Sequence, residues 1–129
     1  MDLTINQLRS ALRQSRSNTT TSTPNEWDAR NAPERGQCVP TALIVQDYFG
    51  GTLERLATLY QGKRETHYRN ILPDGTVIDL SRAQYPDSQQ LDAAPLTEDL
   101  RTYVLQSDDT AQRYQQLSKS VSAALRKNR

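Results

Sequence analysis

The sequence predicts an α+β domain in which a buried central helix packs on a small antiparallel sheet, with a further helix near each end of the chain. Three observations support this prediction: an apolar run closed by two glycines, a group of β-prone segments separated by turn residues, and amphipathic patterns in the first and last parts of the chain. The 129 residues fit one domain, so we assign residues 1–129 to a single domain.

The first element is a short helix followed by a polar loop. Thr4 can cap the helix, and Ile5, Leu8 and Leu12 recur at helical spacing. In residues 15–25, nine of the eleven side chains are Ser, Thr or Asn, which bury little apolar area and compete for backbone hydrogen bonds. We therefore expect an exposed polar loop over residues 15–25.

The next element is the central helix. Residues 38–49 are apolar on nearly every side, and Gly50 and Gly51 close the run, which predicts a buried helix with a glycine C-cap. Pro40 is compatible with this helix because the first turn needs no backbone N–H donor. Cys38 is therefore expected at the helix N-terminus or one residue before it.

Candidate strands follow at residues 53–60, 66–72 and 76–80, and the sequence Pro-Asp-Gly at residues 73–75 is a strong turn signal between the last two. Residues 102–105 form a further candidate short strand. The last predicted element is a C-terminal helix capped by Ser107 or Asp108. Its apolar stripe consists of Ala111, Tyr114, Leu117, Val121 and Leu125.

Composition excludes several function classes. Sixteen Lys and Arg against fifteen Asp and Glu give a net charge of +1, so no overall field favours nucleic acid or an anionic membrane. One cysteine excludes an internal disulfide, and with one histidine it is too few ligands for a classical zinc site. No apolar run approaches the roughly 18 residues of a membrane span, and no signal-peptide core is evident. We expect a cytoplasmic protein without metal, cofactor, nucleic acid or membrane partner, and the oligomeric state stays open.

Three residues could carry chemistry: Cys38 at a helix start, His67 in one strand and Asp79 in the next. A helix N-terminus stabilises a thiolate, a neighbouring imidazole can move its proton, and a carboxylate can orient the imidazole. The chain has one Cys and one His, so no other pair could fill these roles. The ordinary alternative is that Cys38 is a small buried side chain and that His67 and Asp79 are structural.

The turn at residues 73–75 decides whether His67 and Asp79 meet. A three-residue loop with Gly75 in the left-handed conformation pairs Arg69 with Asp79. His67 then lies diagonal to Asp79 on the same face, about 7–8 Å apart at Cα. A two-residue loop would place the two side chains on opposite faces. The predicted site therefore depends on this turn.

Several segments resemble motifs of the small bacterial YunG-like family, and the resemblance covers residues 27–125. It implies a shape more than an activity. The segments are residues 36–51 (GQCVPTALIVQDYFGG), 67–70 (HYRN), 72–75 (LPDG), 78–82 (IDLSR), 103–105 (YVL) and 113–117 (RYQQL).

The order of Cys, His and Asp is also similar to papain-like and transglutaminase-like enzymes, whose minimal core is a helix on an antiparallel sheet. That resemblance implies Cys38 as nucleophile, His67 as base and Asp79 as orienting group. The chain departs from those families before the Asp, where Val77 and Ile78 replace an aromatic residue, and at the oxyanion glutamine, which they place several residues upstream. The candidate oxyanion or substrate-binding residues here are Gln37, Trp27 and Asn70.

Two main functions follow as hypotheses. The first is a thiol-dependent amide hydrolase or acyl transferase that acts on a peptide, an isopeptide or a glutamine side chain. The second is a non-catalytic binding or inhibitory module on an inactive papain-like scaffold, which the short chain favours because little remains to build a substrate groove. A third, a redox-sensing thiol that forms an intermolecular disulfide through Cys38, is also compatible with the sequence. A peptide or protein is the expected substrate or partner.

Overall fold

The computed structural model describes residues 2–128 and confirms a mixed α+β architecture. The structure contains four helices and a four-stranded antiparallel sheet with the strand order β3-β2-β1-β4. The helices are α1 (Ile5–Ser15), α2 (Cys38–Phe49), α3 (Leu100–Val104) and α4 (Asp108–Lys127). The strands are β1 (Thr52–Tyr60), β2 (Lys63–Ile71), β3 (Val77–Ile78) and β4 (Asp92–Ala93), and a short 3-10 helix spans Arg82–Gln84.

Helix α2 lies at the centre, between the other long helices and the sheet. Its Ile44 and Val45 are fully buried in one apolar cluster with residues of α1 and α4, among them Leu8 and Leu117. Its Leu43 is buried in a second cluster with residues of the sheet and of α3. Because α2 is covered on both sides, apolar residues are needed on nearly every face of the helix, and this explains the continuous apolar run in its sequence.

The predicted caps at both ends of the chain are confirmed. The Thr4 side chain accepts a hydrogen bond from the backbone N–H of Gln7, and the Gln7 side chain accepts one from the backbone N–H of Thr4, which satisfies two otherwise unpaired donors at the start of α1. Ser107 caps α4 by accepting from the backbone N–H of Thr110.

Gly51, between α2 and β1, has a φ of +80°, and a Cβ there would lie 2.1 Å from the carbonyl oxygen of Ile71.

The turn between β2 and β3 has the predicted register. The Leu72 N–H donates to the Thr76 carbonyl at 2.8 Å, Gly75 has a φ of +88°, and Asn70 lies opposite Ile78. The strands differ from the prediction in length, since β2 begins at residue 63 and β3 contains only two residues. The hairpin therefore presents the faces that the turn chemistry predicts.

The predicted strand at residues 102–105 is wrong, because this segment belongs to α3. The side chain of Asp99 accepts from the Thr102 N–H at 3.1 Å and starts the helix. The fourth strand forms instead at Asp92–Ala93, where the sequence shows no periodicity. It pairs with β1 near Arg55, whose side chain donates to the carbonyl of Ala94 at 3.0 Å.

The prediction that residues 15–25 form an exposed loop is wrong in part. Thr20 and Thr21 are buried, as is Arg16. Thr20 Oγ1 donates to Gln37 Oε1 at 2.9 Å, and Thr21 Oγ1 donates to the carbonyl of Arg35 at 2.6 Å. The hydroxyl groups of Thr20 and Thr21 are thus buried with hydrogen-bond partners, which removes the usual cost of burying them.

Across the described part of the chain, no helix is both long enough and apolar enough to cross a membrane.

Candidate active site

Cys38 is the first residue of α2 and is half-buried. The prediction that it lies at the start of this helix is confirmed. At this position the thiol lies next to backbone N–H groups that have no partner within the helix, together with the positive end of the helix dipole. Its partial exposure leaves a path to solvent, as a reactive thiol requires.

His67 on β2 is fully buried and makes a close contact with Asp79. The distance from His67 Nε2 to Asp79 Oδ2 is 2.7 Å. Asp79 follows β3, and its other oxygen accepts from the backbone N–H of Ser81 at 3.2 Å. The diagonal contact expected from the three-residue turn is therefore present, and Ser81 fixes the carboxylate that makes it.

The Cys38 thiol lies next to the His67 ring and helps to raise the pKa of that ring. Burial disfavours the charged ring, but the hydrogen bond to Asp79 and the neighbouring Cys38 side chain outweigh burial and raise the pKa of His67 to about 9. The two ring nitrogens hydrogen-bond to Asp79 and Gln84, and the Cys38 thiol also interacts with the ring. The fold thus brings Cys38, His67 and Asp79 to one place.

Gln84 is a member of this site that the sequence analysis missed. It lies in the short 3-10 helix and is buried, with its Nε2 at 3.1 Å from His67 Nδ1. Its Oε1 accepts from the backbone N–H of Gly36 at 3.2 Å and from Arg35 Nη1 at 3.3 Å. The segment from residue 82 to Pro95 shows no periodicity, so no sequence signal identified Gln84.

Arg35 and Glu65 form a partly buried ion pair, and Tyr85 connects this pair to the His67 ring. Arg35 Nη1 lies 2.7 Å from Glu65 Oε1, and a second bond joins Arg35 Nη2 to Glu65 Oε2. The Tyr85 hydroxyl donates to Glu65 Oε1 at 2.8 Å, and the Tyr85 ring meets the His67 ring edge to face at 5.4 Å. Burial and the hydrogen bond to Glu65 raise the pKa of Tyr85, so this phenol stays protonated and serves as a donor.

The three candidate oxyanion or substrate-binding residues form their hydrogen bonds with groups other than Cys38, His67 and Asp79. The Gln37 amide is fully buried, accepts from Thr20 and donates to the carbonyl of Ser17 at 3.2 Å. Asn70 Nδ2 donates to the backbone carbonyl of Ala42 at 2.9 Å and so ties β2 to α2.

Trp27 is half-buried, and its Nε1 donates to the carbonyl of Pro33 at 2.8 Å, so it does not fill the core. For residues 2–128, the hydrogen bonds of Gln37, Asn70 and Trp27 hold backbone or loop positions and do not join them to the thiol, the imidazole or the carboxylate.

Residues 2–128 contain no cluster of three or more His, Cys, Asp or Glu that could hold a metal ion. A groove of about 1060 Å³ lies between α1 and the end of α4, and its lining includes Leu3, Gln14, Tyr48 and Leu125 but no member of the Cys38 site.

Comparison with protein-family models finds a match to the family described as YunG protein, over residues 4–126. No curated protein and no solved structure shows significant similarity to the chain.

Proposed function

We propose, from the premise that this chain belongs to the YunG protein family, that it is a thiol-dependent amide hydrolase or acyl transferase. Cys38 is the nucleophile, His67 moves the proton, and Asp79 orients the ring and supports its charged form. The substrate is a peptide, an isopeptide or the side-chain amide of a glutamine. These roles correspond to a minimal papain-like or transglutaminase-like core.

The observation that carries the proposal is the 2.7 Å bond between the fully buried His67 ring and Asp79, beside a cysteine at a helix start. Burying an imidazole and a carboxylate is costly unless they are paired, so the pair alone could be structural. A structural pair, however, does not need a half-buried thiol at a helix N-terminus next to the ring. The combination is what a nucleophile, base and orienting group require.

In the proposed reaction, His67 accepts the proton of the Cys38 thiol while the sulfur bonds to the carbonyl carbon of the substrate. The negative charge on the carbonyl oxygen is stabilised by the backbone N–H of Cys38. When the C–N bond breaks, the imidazolium returns its proton to the leaving amine or ammonia and a thioester remains. Water or a second amine then attacks the thioester, passes a proton through His67 and restores the thiol.

We assign the oxyanion role to the backbone of Cys38 rather than to the side chain of Gln37. The Gln37 amide is fully buried and binds Ser17 and Thr20 of the loop at residues 15–25. A donor for the oxyanion must already point to the place where the charge develops. Gln37 instead fixes the loop at the entry to α2 and so helps to position Cys38.

The experiment is acylation by p-nitrophenyl acetate, followed by tests on a glutamine-containing peptide. We expect a burst of p-nitrophenolate and the mass of one acetyl group on Cys38, with both lost in Cys38→Ala and strongly slowed in His67→Gln. With the peptide, chain cleavage, ammonia release or incorporation of an added primary amine would identify hydrolysis, deamidation or transfer. Acetylation at equal rates in the native protein and His67→Gln would contradict the proposal.

The position of the groove favours the binding or inhibitory module as a second candidate. The groove between α1 and α4 includes Leu3, Tyr48 and Leu125 in its lining but no residue of the Cys38 site. A protein that acts only by binding a partner in this groove would keep its biological effect in Cys38→Ala and lose that effect in Tyr48→Ala. The enzyme proposal instead predicts that Cys38→Ala loses the biological effect.

A further inference from the structure

The orientation of the Gln84 amide is fixed by its neighbours. Its Oε1 faces two donors, the backbone N–H of Gly36 at 3.2 Å and Arg35 Nη1 at 3.3 Å. Turning the amide by half a rotation would place its NH₂ group against both donors. The oxygen therefore stays with Gly36 and Arg35, and the NH₂ group faces His67 Nδ1 at 3.1 Å.

This orientation determines where the proton of the His67 ring lies. Because the Gln84 NH₂ group can only donate, Nδ1 must be the acceptor and carries no proton. The ring proton is then on Nε2, which donates to Asp79 Oδ2 at 2.7 Å. Between them, Gln84 and Asp79 specify one neutral tautomer, the one with no proton on Nδ1.

We propose that Gln84 is a positioning residue that fixes the tautomer of the neutral His67 ring, with the proton on Nε2 and none on Nδ1. A proton on Nδ1 would set two N–H donors against each other, so the amide disfavours the charged ring. The consequence for catalysis depends on the proposed function: the thiol proton goes to Nδ1 in place of the Gln84 hydrogen bond, and because the amide opposes a proton there, it favours the passage of that proton to the leaving group. The protonation state itself does not depend on that function.

The other charged and titratable groups around the ring act in both directions. Asp79 and the Cys38 side chain favour the charged form, and Gln84 opposes them. The Glu65 carboxylate, on the same strand as His67, is already bound by Arg35 and by the Tyr85 hydroxyl. Arg16 lies beside this network, where its Nη2 donates to the carbonyl of Leu80 at 2.8 Å. Since these partners remain in place, replacing Gln84 isolates the contribution of its amide.

The test is an NMR titration of His67, which is free of overlap because the chain contains one histidine. Gln84→Met keeps the length of the side chain but loses the donor, and Gln84→Glu places an acceptor beside Nδ1. Losing one hydrogen bond to the neutral ring should raise the titration midpoint by about one pH unit in Gln84→Met. The midpoint should rise further in Gln84→Glu. The ring ¹⁵N shifts of the native protein above its midpoint should show the proton on Nε2.

An unchanged midpoint in folded Gln84→Met would overturn the inference. If neither variant folds, the native tautomer decides, because a proton on Nδ1 in the neutral ring is incompatible with donation from Gln84. Repeating the titrations in a Cys38→Ala background separates this inference from the proposed function. The Gln84 effect should persist there although no nucleophile remains, and an absent effect would leave acylation of Cys38 in the native protein untouched.

Discussion

Replacing Asp79 with Asn removes the charge that faces the buried His67 ring and keeps almost the same side-chain shape. The carboxylate lies 2.7 Å from the ring nitrogen, and the ring is fully buried. A hydrogen bond to a charged group contributes about 1.5–3 kcal/mol. One pH unit in a pKa corresponds to about 1.4 kcal/mol. We therefore expect the pKa of His67 to fall by roughly one to two pH units in Asp79→Asn.

The stability of the protein should report the same change. The pKa of His67 is raised from 6.5 to about 9 in the fold. A raised pKa stabilises the native state fully below pH 6.5, and this contribution is lost as the pH rises through 9. The difference corresponds to about 3 kcal/mol in the free energy of unfolding. The native protein should therefore lose stability between these two pH values, and Asp79→Asn should lose much less.

The assay combines the NMR titration of His67 with urea unfolding at several pH values between about 6 and 9. Asp74→Asn is the matched control, because Asp74 lies in the turn that precedes β3 and is exposed, and its side chain accepts from the Thr76 backbone N–H at 2.9 Å. It removes the same charge without touching His67. If the two variants shift the His67 titration and the pH dependence of stability equally, the reasoning about the buried pair is wrong.

Three further predictions concern stability and are measured by urea unfolding at constant pH. Thr20→Val removes the hydroxyl that donates to buried Gln37 and should cost about 1–3 kcal/mol, whereas Thr19→Val, at an exposed position, should cost little. Gly51→Ala should cost more than Gly62→Ala: both positions have positive φ, but the added Cβ meets the Ile71 backbone only at Gly51. Thr4→Ala removes the cap of α1 and should cost about 1 kcal/mol. Equal losses at Thr19 and Thr20, equal losses at the two glycines, or no loss at Thr4 would contradict the respective contact.

The parts of the site that the sequence predicts are those fixed by local chemistry. The turn at residues 73–75 has one register that suits its glycine, and that register alone places His67 and Asp79 on one face. The apolar run ending at Gly50 likewise places Cys38 at the start of α2. In both cases a few neighbouring residues determine the geometry.

The parts that sequence reasoning misses depend on contacts between distant segments. Gln84 joins the site because Gly36 and Arg35, nearly fifty residues away, fix its amide. Thr20 is buried because the amide of Gln37 needs a donor. The β-prone residues of α3 become helical because the Asp99 side chain starts a helix there. Polar side chains of this kind carry no periodic signal, so their partners appear only in the fold.

The most direct test of the central claim is the rate at which iodoacetamide alkylates Cys38 near pH 7, in the native protein and in His67→Gln. If the imidazole takes the thiol proton, the native protein should react up to about thirtyfold faster, because an ordinary thiol is only about 3% ionised at pH 7 and the thiolate is the form that reacts. The alkylation rate of Asp79→Asn should lie between those of the native protein and His67→Gln, because this variant keeps the imidazole but loses the charge that orients it. Equal rates in the native protein and His67→Gln would contradict the claim that sulfur and imidazole work as one site.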